Sequence, residues 1–91
     1  MITLKQAQEI AQNELDKLNP NQDLVILDKF VEFDKGWIFF YETRKYVETG
    51  DDHFSLFGNG PIAVGAENGK VLHFGTGYDI DYYIQQSKQS L

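Results

Sequence analysis

The chain has no cysteine, which excludes a disulfide scaffold, a thiolate zinc site and a thiol nucleophile and is compatible with a reducing compartment. It also lacks long hydrophobic runs: no stretch approaches the ~20 apolar residues of a membrane span. Met1 leads straight into a polar, amphipathic segment instead of the basic start and apolar run of a secretory signal. A cytoplasmic protein is expected. Positive charge is scarce, with 8 basic against 14 acidic side chains and a formal charge of -6. Such a surface repels nucleic acid and anionic membranes and admits a basic partner, or serves solubility alone.

What is present suits a globular chain. Of its 91 residues 42% are hydrophobic and 14% aromatic, more than a disordered segment carries. Residues 1–91 are expected to form one domain, since a chain of this size buries roughly 60–65% of its unfolded surface and leaves no room for a second module.

Thr3 followed by Gln6 is a candidate capping box, with Ile2 ahead of it as a candidate staple. Leu4, Ala7, Ile10, Ala11, Leu15 and Leu18 then recur at helical spacing, and Asn19-Pro20-Asn21 ends the helix. From Leu24 to Phe33 β-branched and aromatic residues predict a strand, with a bulge where the apolar phase slips at Asp28-Lys29. Asp34-Lys35-Gly36 supplies a turn into Trp37–Thr43, the strongest strand signal in the chain.

Arg44 to Pro61 reads as a long irregular connection. After it, Ile62–Ala66 and Val71–Phe74 flank Glu67-Asn68-Gly69-Lys70, whose Asn-Gly pair suits the positive φ angles of a tight hairpin turn. Gly75-Thr76-Gly77 breaks the strand, Asp79 caps a short helix carrying Ile80, Tyr83, Ile84 and Ser87 on one side, and the tail from Gln85 is expected to fray. The predicted fold is α+β, with a four-stranded, mostly antiparallel sheet of two hairpins packed on the N-terminal helix and a short C-terminal helix.

Few residues suggest catalysis. Gly58-Asn59-Gly60 with Ala63 imitates a dinucleotide motif, but Pro61 and a β-rich run follow where a helix is required. Gly75-Thr76-Gly77 does lie between strand and helix, yet Asp79 and Asp81 crowd that helix start with the charge a phosphate would oppose. His53 and His73, the two histidines, fall in no metal-ligand spacing. His73 reads as a half-buried sheet residue. His53 lies beside Asp51 and Asp52 with Ser55 as the sole nearby hydroxyl nucleophile, too close in sequence for a preformed triad. No enzyme, metal or cofactor is expected.

Protein binding fits better. Trp37, Phe39, Phe40 and Tyr41 belong to the core, whereas Tyr46, Phe54 and Phe57 punctuate a polar loop beside Glu48, Asp51 and Asp52. Aromatic anchors rimmed by charge are what protein-binding surfaces use. For Gly50 and Asp51 the competing reading is loop architecture, with Gly50 left-handed and Asp51 bonding nearby amides.

Gly36-Trp37 opening an aromatic strand, Glu48-Thr49-Gly50-Asp51 in the connection, Gly58-Asn59-Gly60-Pro61 before the third strand and Gly75-Thr76 leading into a tyrosine-rich helix together resemble the YrhB-like, or immunity protein thirty-five, family. The resemblance runs from the first helix to about Tyr83. It implies a cytoplasmic α+β protein that binds and neutralises a cognate protein toxin of a bacterial polymorphic toxin system. The family's tryptophan and G-x-G element fall on Trp37, Gly58 and Gly60, as fold-defining positions. Where this chain has Ala63–Glu67, the relatives carry a more acidic stretch.

The expected contact surface is the loop from Tyr46 to Asn59, with Glu48, Asp51 and Asp52 meeting basic residues and Phe54 or Phe57 as anchors, extended by Asp79, Asp81 and Tyr82. Trp37, Gly50, Gly58, Gly60 and Pro61 are structural. A chaperone-like or regulatory binder without a cognate toxin is the alternative. Strand edges leave pairing into a homodimer open.

Overall fold

A computed structural model describes residues 1–56 and 60–91. Helix α1 (Leu4–Leu18) begins at the expected capping box: Thr3 Oγ1 accepts from Gln6 N, and Thr3 N donates to Gln6 Oε1. Its apolar stripe buries Ala7, Ala11 and Leu15. Strands β1 (Leu24–Phe33), β2 (Gly36–Thr43), β3 (Ile62–Gly65) and β4 (Val71–His73) form one sheet in sequence order, each antiparallel to the next. Helix α3 (Ile80–Ser90) closes the chain, after a short α2 (Arg44–Thr49) and a 3-10 turn (Asp52–Phe54) between β2 and β3.

Alternation along β2 explains how one sheet serves two layers. Trp37 and Phe39 join Leu24, Ile62, Val64 and α1's Ala7, Ala11 and Leu15 on one face. Ile38 joins Ala63 and Tyr83 on the other, where Val31, Phe33, Leu72, Ile80, Ile84 and Leu91 pack. Full burial is worth roughly 2 kcal/mol per large side chain, so the apolar run Trp37–Phe40 demands a cover on both faces.

The β1 bulge preserves this division. Ile26 pairs with Tyr41 and Phe30 with Phe39, so Leu27, Asp28 and Lys29 stand opposite Phe40 alone. Two extra residues leave the alternation in phase, and Ile26 and Phe30 both pack on the α1 side.

Gln12 finishes the outer edge of β1. Asp23 O accepts from Arg44 N, which turns the polar groups of Leu24 and Ile26 away from β2. The Gln12 amide takes both, with Nε2 donating to Leu24 O at 2.7 Å and Oε1 accepting from Ile26 N at 3.1 Å.

The two ends of the sheet differ. At one end lie both tight turns: Gly36 pairs with Gly65, so closely that a Cβ on Gly36 would stand 2.1 Å from Val64 O. Ile2 N and Lys35 O bond to Ala66 at the same end, and Lys70 Nζ donates to Ser90 O. From the other end depart α2, the 3-10 turn, the Gly75–Asp79 turn and the start of α3.

Three expectations need correction. The connection is not irregular at its start: Arg44–Thr49 is helical because Thr43 Oγ1 accepts Tyr46 N and left-handed Gly50, φ +70°, ends the helix by donating its N–H to Tyr46 O. In the β3–β4 turn, closed by Gly65 N donating to Lys70 O, only Gly69 and not Asn68 has positive φ. The tail from Gln85 does not fray but stays helical to Ser90, with Ser87 buried and Leu91 packed on the second core.

Candidate partner-binding surface

The connection after β2 is built on Glu42 and Thr43. Glu42 Oε1 accepts from Ser55 Oγ at 2.8 Å, and its Oε2 accepts from Leu56 N at 2.9 Å and Thr43 N at 3.2 Å. Thr43 Oγ1 caps α2 and also donates to Phe54 O at 2.6 Å. These half-buried groups fold the 3-10 turn back onto the end of β2. Sequence reading passed over both, because a polar pair ending a strand carries no periodicity; the S/T cap position before a short polar helix was the available signal.

Tyr46 is half-buried on α2, while Glu48 and Asp52 are exposed and have no hydrogen bond or ion pair among the described residues. Asp51 takes the architectural role: its Oδ1 accepts from His53 N at 3.0 Å to cap the 3-10 turn and lies 2.9 Å from His53 Nδ1. Phe54 is half-buried, with Lys45 Nζ 4.7 Å from its ring centroid. Asp23, Thr43, Arg44, Lys45, Glu48, Thr49 and Phe54 line an open cleft of about 430 Å³, across which Arg44 Nε meets Asp23 Oδ2 at 2.9 Å. Phe57 and Gly58 lie outside the described residues.

No Ser–His–Asp relay forms here, since the Ser55 hydroxyl donates to Glu42 while His53 turns to Asp51. His73 is exposed rather than half-buried, and its Nε2 lies 3.1 Å from Glu14 Oε1 across the margin of the α1 face. Among the described residues no cluster of three or more metal-ligating side chains occurs, and no helix is long and apolar enough to cross a membrane.

Trp37 is buried and its Nε1 donates to Glu32 Oε1 at 3.2 Å. Gly60 and Pro61 are buried, and a Cβ on Gly60 would stand 1.8 Å from Phe74 O and 2.5 Å from Gly75 O, so the chain crosses β4's exit with no space for a side chain.

The second acidic stretch leaves from the same end of the sheet. Asp79 Oδ1 caps α3 by accepting Tyr82 N at 2.9 Å, and Asp81 has no partner among the described residues. Tyr82 is exposed and stacks on Tyr78, with ring centroids 4.1 Å apart and planes 16° from parallel. Sequence reasoning misses Tyr78, although its place just before the Asp79 cap and five residues before Tyr83 is a staple spacing. Tyr78 precedes the cap and meets Tyr83 edge-on, a staple at the helix start.

The chain is 34% identical over 86 residues to the uncharacterized protein YrhB of Escherichia coli (strain K12), covering 93% of this chain and 87% of that protein. No solved structure matches it. The family model described as Immunity protein 35 matches residues 5–80, from the first turn of α1 through the sheet to the start of α3, and the chain belongs to that family.

Proposed function

We propose that this protein is an immunity protein of the cytoplasm that neutralises a cognate bacterial polymorphic toxin by forming a stoichiometric complex, with no catalysis of its own. Membership of the immunity family carries this reading. Inhibition needs a rigid scaffold and a complementary surface, not a reaction centre.

The geometry supports a location for that surface at the loop-bearing end of the sheet. Exposed Glu48, Asp52 and Asp81 have no partner among the described residues, so a basic partner meets carboxylates that need not first be released from internal bonds. Tyr46 and Phe54 supply apolar area beside them. Asp51 and Asp79, already engaged as caps, position the segments.

The test is to titrate the product of the neighbouring gene with the wild-type chain and with a variant carrying Asp52→Ala and Phe57→Ala together. A saturable one-to-one complex, weakened in the folded variant and protecting cells from the toxin, is expected. Unchanged affinity in a folded variant overturns the placement. Weak, unselective protection of unrelated proteins from thermal aggregation, without any tight partner, identifies the chaperone-like alternative instead.

A further inference from the structure

Tyr78 and Tyr82 present a rigid aromatic ledge to solvent. They are 53% and 38% exposed yet stacked on each other. Buried Tyr83 braces both edge-on, at 6.2 Å and 6.0 Å, and is itself held by its hydroxyl donating to Gly75 O at 2.8 Å and by contact with Phe74. The charge along the segment that carries the ledge is one-sided. No lysine or arginine occurs between Lys70 and Lys88, and those two are engaged by Ser90 O and Asp34. Asp79 and Asp81 lie between the two tyrosines in sequence, Asp79 Oδ1 accepting the N–H of Tyr82 and Asp81 exposed with its carboxylate unpaired among the described residues.

A tyrosine face attracts a cation through its quadrupole, and a carboxylate beside it rewards the one cation that is both planar and rich in N–H donors. We propose that this ledge receives an arginine side chain of the protein partner, its guanidinium lying flat on the stacked tyrosines while Asp81 accepts its N–H groups. The inference rests on the reading of the chain as a toxin-binding protein and adds to it a specific anchor. A nucleobase would also stack on tyrosine, but its phosphates would face Asp79, Asp81 and a net charge of -6.

The test is NMR titration of the labelled chain with a short blocked peptide containing arginine, and with the same peptide carrying lysine or citrulline. The ring signals of Tyr78 and Tyr82 should shift saturably with arginine, about two- to fivefold more tightly than with lysine, and not with citrulline. Tyr78→Leu with Tyr82→Leu should abolish the response while the sheet amide signals stay in place; should that pair disturb the fold, Asp81→Asn should still weaken binding severalfold. Shifts spread over the whole acidic surface, no change in Asp81→Asn, or preference for a single-stranded oligonucleotide overturns the proposal.

The same variants separate it from the broader reading. If the wild-type chain complexes the product of the neighbouring gene and the double variant binds it equally well, the ledge is wrong and the toxin reading stands. If no toxin complex forms but the arginine peptide saturates the tyrosine signals, the ledge stands and the toxin reading fails.

Discussion

The Glu42 carboxylate accepts the Leu56 N–H at 2.9 Å, across 14 residues of chain. This bond, with those from Ser55 and Thr43, ties the connection after β2 to the strand it leaves. Glu42→Ala is expected to cost about 2 kcal/mol, the size of losing hydrogen bonds to a charged acceptor in a half-buried site. Chemical denaturation measures the loss. Amide exchange should quicken first at residues 44–56, and uniform protection there would show that the connection holds without Glu42.

Gln12 stands in for a fifth strand over part of the β1 edge. Gln12→Ala leaves Leu24 O and Ile26 N facing outward without their partner. The expected cost is about 1–2 kcal/mol, with increased self-association because an open edge is a template for pairing. Sedimentation at several concentrations, beside a denaturation curve, distinguishes the two effects.

Gly50 and Gly60 should respond to alanine very differently. Gly50 has φ +70° but open space around its missing Cβ, so Gly50→Ala should cost about 1 kcal/mol from backbone strain. At Gly60 the obstruction is backbone oxygen. Gly60→Ala should therefore lose upwards of ~3 kcal/mol, a change diagnostic of a named steric conflict. Equal melting temperatures for the two variants would contradict this geometry.

Asp79 allows capping and binding to be separated. Asp79→Ala should destabilise by about 1 kcal/mol, whereas Asp79→Ser keeps an oxygen for Tyr82 N and should be nearly neutral. If the ledge also uses the negative charge, Asp79→Ser keeps stability and loses affinity for the arginine peptide.

What the sequence discloses follows the range over which a signal is written. The α1 stripe spans fifteen residues and carries its own capping box. The bulge at Asp28-Lys29 announces itself because two charged residues interrupt a run of apolar, strand-forming ones. Six residues of α2 are too few to show a period, and Thr43 and Gly50 bound it through side-chain and backbone geometry instead of hydrophobicity. The polar tail Gln85–Ser90 hides its helix for a similar reason: Ser87 is buried and Leu91 packs on the second core, and neither is part of an apolar period. On the candidate surface, Asp51 and Gly50 were legible as loop architecture, since Asx turns and left-handed glycines are local. The Glu42 tether and the Tyr78–Tyr82 stack join residues through folding, so neither appears as a motif.

The unequal ends of the sheet have a consequence for how such a protein changes over generations. Where Gly36 meets Gly65 and Ala66 ties Ile2 to Lys35, strand turns pass so closely that a side chain at Gly36 must displace main-chain atoms. At the far end exposed Glu48, Asp52 and Asp81 can be exchanged for other residues at little expense to folding. Mutational drift is thus steered toward one pole of the molecule, and a change of partner need not wait for a change of scaffold.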